Sequence, residues 1–185
     1  MLGVRMAVAL FVALSANATA QGPADVSVCL SDDATPAKIQ ARNKSLVSKL
    51  FREIGVTLLW RDCTVGNALF SIRVVAKAPP AASVGALGST DLSGKGITVY
   101  RDRISACIRN NHPAVQQVAL AYVLVHELGH AIQGISRHSE QGIMKAHWSG
   151  DDFSSMLFRQ LAFTPFDAEL IRQRLSPQTF ESGGQ

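Results

Sequence analysis

Residues 113–144 read PAVQQVALAYVLVHELGHAIQGISRHSEQGIM, and they decide how the rest of the chain is understood. Val115, Val118, Leu120, Tyr122, Val123, Leu124, Val125, Leu128 and Ile132 make residues 114–132 apolar nearly all round. A helix apolar on every side is a buried one. His112-Pro113 is placed to open it, and Gly134 is a natural stop. Within this dry segment stand His126, Glu127 and His130. Burying such groups costs on the order of several kcal/mol unless they are paired or bound to a metal. Conflicts of that kind between a residue and its surroundings are expected at functional sites.

The two histidines are four apart and so lie on one helix face, one turn from each other. Both imidazoles can bind one metal ion, with Glu127 beside them as a carboxylate that need not be a ligand. This is the H-E-x-x-H signature of zinc hydrolases, mostly peptidases. Catalytic zinc usually takes three protein ligands and keeps its fourth position for water. His138 follows the Gly134 stop, so the chain can turn back and present it. Glu140 and His147 are the rival third ligands; His147, in Lys145-Ala146-His147-Trp148, reads rather as a surface or outer hydrogen-bonding residue.

With Gly142-Ile143-Met144 included, segment 126–144 resembles the metzincin clan of zinc peptidases, most nearly its matrixin-like branch. There an H-E-x-x-H-x-x-G-x-x-H run precedes a turn with a methionine below the metal. The family glycine would fall at Gln133 and its third histidine at Ser136. Here Gly134 comes one residue late and His138 two late, a two-residue extension of the link. The resemblance implies zinc held by His126, His130 and His138, with Glu127 as general base and Met144 beneath. It implies a secreted endopeptidase that hydrolyses peptide bonds through a metal-activated water. No second charge-stabilising residue stands out, although Tyr100 and His147 are candidates. A competing expectation is a secreted, zinc-stabilised binding module that has lost catalysis. Intact Glu127 argues against it, because a closed structural zinc site needs no adjacent base. A zinc hydrolase acting on something other than peptide ranks last, since no phosphate-binding or paired-carboxylate signal is present.

The remaining chain reads as an α+β domain. Residues 25–30, 56–60, 69–76 and 96–100 have strand character, and 83–87 reads as a short edge strand. Ile39, Leu46, Val47, Leu50, Phe51 and Ile54 recur at helical spacing after Thr35-Pro36, with Gly55 as the stop. Asp151-Asp152 is placed to start a short helix, and Thr164-Pro165-Phe166-Asp167 reads as a capping box opening the last one. This order follows that of the metzincins. It implies a twisted, mostly parallel mixed sheet of about five strands with an antiparallel edge strand. A buried active-site helix, a methionine turn and a C-terminal helix complete it. In that family the edge strand pairs with an extended peptide substrate, a role that falls to residues 83–87.

Residues 1–20 carry Arg5, an apolar run from Met6 to Leu14 and Ala18-Thr19-Ala20, which reads as a secretory signal peptide. The apolar run is too short to span a bilayer. Residues 21–185 then form a single catalytic domain, secreted or periplasmic, with no membrane contact once the signal is removed. Loss of Arg5 lowers the net charge from +4 to +3. A charge that small, with few aromatics and no basic run, does not imply nucleic acid. A monomer that acts on peptide or protein is the expectation. Cys29, Cys63 and Cys107 allow three single pairings in an oxidising compartment. Cys29–Cys63 is preferred because both fall at the ends of early strands. Asn43-Lys44-Ser45 matches a glycosylation acceptor, read as a chance match on a helix surface.

Overall fold

The computed structural model describes residues 24–32, 34–93, 96–108 and 113–176. The signal-peptide reading and His112 lie outside the described residues. Five strands form one sheet in the order β2-β1-β3-β5-β4. They are β1 (Ala24–Ser31), β2 (Val56–Arg61), β3 (Phe70–Val75), β4 (Gly88–Thr90) and β5 (Gly96–Tyr100). β1 runs parallel to β2 and β3, and β3 parallel to β5; β4 pairs antiparallel with β5 at one edge. The mixed sheet with its antiparallel edge is the one expected.

Strand register explains which face is covered. Val26 lies beside Leu58, Val28 beside Phe70, Ile72 beside Ile97 and Val74 beside Val99. All eight are buried, because side chains two apart on a strand share a face. Against this face pack helices α1 (Ala37–Arg52) and α3 (Pro113–Gln133), which also contact each other. Val47, Leu50 and Phe51 are the buried stripe of α1. Full burial of a side chain of that size stabilises by about 1.5–3 kcal/mol. Two further helices, α4 (Gly150–Leu157) and α5 (Pro165–Leu175), pack on α3. α3 is buried without interruption from Ala119 to His130, as its all-round apolarity demands. Among the described residues no helix is long and apolar enough to cross a membrane.

Cys29 and Cys63 form a disulfide with a Cα–Cα distance of 5.2 Å, and Cys107 is free and exposed. Closing a 34-residue separation restricts the unfolded chain enough to stabilise by roughly 3–4 kcal/mol.

Three local expectations need correction. Residues 83–87 are not a strand; they form a turn-rich loop, and the edge strand begins at Gly88. The backbone carbonyls of Ala82, Ser83 and Ala86 are held by the Arg103 guanidinium instead of a strand partner. Arg103 belongs to a helix not expected from the sequence, α2 (Arg101–Cys107). Thr35 does not cap α1; its hydroxyl accepts from Arg101, which also pairs with buried Asp32 at 2.7 Å.

Candidate metal centre

α3 carries His126 and His130 on one face, 8 % and 6 % exposed. Their Nε2 atoms stand 3.0 Å apart, and the Nε2 of His138 lies 3.2 Å from that of His130. The ligand atoms of all three rings fall within 4.8 Å of one another. The opposite nitrogens are in use. His126 Nδ1 donates to the Ile143 carbonyl at 2.8 Å, and His130 Nδ1 to the Ile135 carbonyl at 3.1 Å. A neutral imidazole carries one N–H. The Nε2 atoms of His126 and His130 are therefore bare lone pairs aimed at a common point. Burial holds the His126 pKa down at about 4 and pushes His130 and His138 down as well. The rings are thus kept neutral, the form that binds metal.

This donor set fits zinc. Tetrahedral ligands at about 2.0–2.1 Å from zinc lie roughly 3.3 Å apart, close to the spacing of these nitrogens. Donation of the other ring nitrogen to a carbonyl is the usual orienting contact of a metal-binding histidine. Among the described residues no further His, Cys, Asp or Glu joins the group, so Glu140 and His147 stand outside it.

The link to His138 is held from both sides. Gly134 ends α3 at φ +70°, a conformation that favours glycine. Arg137 and Ser139, the neighbours of His138, both donate to Asp167 at the start of α5, at 2.6 and 2.7 Å. Asp167 is fully buried and also accepts from the Thr164 hydroxyl at 2.6 Å. Expected only as a helix cap, it is the anchor of the loop. Ser139 N–H donates to the Met144 carbonyl at 2.8 Å, and Ile143 N–H to that of Ala162 at 2.9 Å. Met144 is fully buried against α3; a Cβ on Gly129 would lie 2.7 Å from its Sδ. Only glycine in the fourth position of the motif leaves room for it.

Glu127 faces the edge strand. Thr90 Oγ1 lies 2.7 Å from its Oε2 and 3.0 Å from its main-chain carbonyl. Burial raises the Glu127 pKa to about 7, against the opposing pull of the Thr90 hydrogen bond. A cleft of about 540 Å³ opens over these groups, walled by residues 83–89, Val123, Trp148 and Phe153. Trp148 stands edge-on to His126, with ring centroids 5.5 Å apart. His147 and Cys107 also line the cleft. Tyr100 does not: its side chain is buried and its hydroxyl donates to Ser89 at 2.8 Å. A separate hollow of about 650 Å³ between α1 and the start of α3 contains none of the site groups. Thr90, Gly88 and the Arg137–Asp167 contact carry no local sequence signal; only the fold brings them to the site.

No protein-family model and no curated protein matches the chain. Among solved structures, the crystal structure of archaemetzincin from Methanopyrus kandleri superposes with a TM-score of 0.54 at 16 % identity, over 82 % of this chain and 94 % of that one. The fold is metzincin-like. At that identity the likeness concerns the metzincin-like frame as a whole and not the matrixin-like branch within it. The frame is the one expected from the order of strands and helices; the three histidines line one cleft with Gly88 and Ser89 of the edge strand.

Proposed function

We propose that the chain is a secreted zinc-dependent endopeptidase in which His126, His130 and His138 are the metal ligands and Glu127 is the general base. The observation that carries this reading is the convergence of the histidine Nε2 atoms beside a buried carboxylate on the same helix. A zinc ion held there would lower the pKa of a bound water to about 7 and polarise the scissile carbonyl. Glu127 accepts the proton of the attacking water and passes it to the departing amine. Burial raises the affinity of this carboxyl for a proton, which favours its taking one. Trp148, Phe153 and Val123 form an apolar wall on one side of the cleft. An extended peptide pairs its backbone with the outer edge of β4, residues 88–90, in place of residues 83–87. A binding module without catalysis has no use for Glu127 and is not favoured.

The test is cleavage of a diverse peptide library by the mature, zinc-loaded protein, with Glu127→Ala as control. Cuts are expected in the native protein and a fall of about 10²–10⁴-fold in the variant, which still holds zinc. Equal cleavage by both proteins would contradict the assignment of the base. No cleavage by a native sample with one zinc per chain would contradict the peptidase reading.

A further inference from the structure

We propose that Thr90 is the positioning residue of Glu127: its hydroxyl sets where the base carboxylate stands over the metal centre. The proposal rests on the peptidase reading for its consequence in turnover, and on geometry alone for the contact itself.

Register places the residue. On β4, Gly88 pairs with Val99 and Thr90 with Ile97. Val99 and Ile97 are buried on the helix-covered face of the sheet, so Gly88 and Thr90 also face α3. β4 is in direct contact with α3 there. Thr90 Oγ1 meets two oxygens of one residue, the Glu127 carboxylate at 2.7 Å and the Glu127 carbonyl at 3.0 Å. The carboxylate is thereby tied to the backbone of the helix that bears it.

Gly88 supplies the second constraint. A Cβ there would fall 2.9 Å from Glu127 Cγ and 2.9 Å from Oε1, and 2.9 Å from the Thr98 carbonyl. The strand backbone thus closes one side of the carboxylate while Thr90 binds it on the other. Glutamate has freely turning side-chain torsions, and fixing them removes the wrong placements before substrate arrives. Threonine suits the task because its branched Cβ restricts χ1. A misplacement of about 1 Å at a reacting group lowers rate about 100-fold. Among the described residues Thr90 is the hydrogen-bond partner that holds the Glu127 carboxylate.

Two readouts test this. The first is steady-state peptide hydrolysis by the zinc-loaded full chain carrying Thr90→Val or Thr90→Ser. Thr90→Val keeps shape and removes the hydroxyl. It is expected to lower kcat about 10–100-fold with KM within about twofold and zinc content unchanged. Thr90→Ser is expected to stay within about fivefold of the native kcat, since the hydroxyl remains. The second readout needs no activity: a thermal-unfolding cycle of Thr90→Val against Glu127→Ala in metal-free protein. Thr90→Val should lower Tm by about 2–8 °C in the native background and by less than about 1 °C when Glu127 is already gone. An unchanged kcat in Thr90→Val, an equal loss in Thr90→Ser, or an additive cycle would each overturn the proposal. Absence of hydrolysis in the native protein with the coupling intact would overturn the peptidase reading and leave the placement of Glu127 by Thr90 standing.

Discussion

The two halves of the candidate metal centre are built by different means. The α3 half presents His126, Glu127 and His130 through helical period alone, on a helix buried over its whole middle. The other half, residues 134–144, presents an exposed His138 from a loop. Its geometry comes from a glycine stop, hydrogen bonds to Ala162 and Met144, and the Asp167 anchor. This difference would let the link to His138 run two residues longer than in the pattern that the segment resembles. A helix tolerates no insertion between its ligands, because each added residue rotates the next by about 100°. A loop gripped beside the ligand does tolerate one. Lengthening it from five residues to seven costs only about 0.3 kcal/mol of closure entropy. The position of His138 is set by what Arg137 and Ser139 hold, not by how far the chain has run.

The largest effects are expected at the proposed ligands themselves. His126→Ala, His130→Ala and His138→Ala are each expected to lower zinc affinity by more than about 100-fold, beyond the range for outer partners. Competition with a chromogenic chelator measures this; native affinity in His138→Ala would remove the loop half from the site. Asp167→Ala comes next, with an expected loss of about 10–100-fold in zinc affinity. It leaves Arg137 and Ser139 without their acceptor. The loss should vanish in a His138→Ala background, where the anchor has no ligand to place. A loss that persists there would mean that Asp167 acts through α3.

Tyr122 sharpens the contrast from the dry side. It sits one turn before His126, fully buried, and burial pushes its pKa up to about 12. Between pH 10 and 12 the unfolded chain loses this proton while the folded one keeps it. Stability therefore falls as pH rises through that window, by about 1.4 kcal/mol at pH 11. Denaturant unfolding of metal-free protein should show this slope and Tyr122→Phe should abolish it; an unaltered slope would place the titration elsewhere. The smallest effect is expected for His147→Ala. It lies outside the histidine group, and its loss should change zinc affinity by less than about threefold, below the range for outer partners. A larger change would restore His147 as a rival to His138.

The same contrast governs what could be read from residues. The α3 half was legible because period and motif are local: apolar positions, H-E-x-x-H spacing and Gly134 all sit within one stretch. The alternating strands and the Cys29–Cys63 pairing were legible for similar reasons, since each strand carries its own pattern of burial. The edge strand was misplaced by five residues at its start, 83 against 88. Val84 and Leu87 stand among small residues with no local pattern to set their pairing, which is decided by β5 opposite and by the room Glu127 needs at Gly88. Helix α2 has no side-chain cap and an amphipathic stretch too short to show its period. Asp167 was visible only as a cap because its partners Arg137 and Ser139 lie about thirty and twenty-eight residues away. Thr90 gives no signal before the fold sets it against Glu127.

The most direct test of this account is zinc-edge X-ray absorption on the native protein and on His138→Ala. Three imidazoles and one oxygen donor at about 2.0–2.1 Å are predicted for the native site, falling to two imidazoles in the variant. Two imidazoles in the native protein, or a spectrum that His138→Ala leaves unchanged, would contradict it.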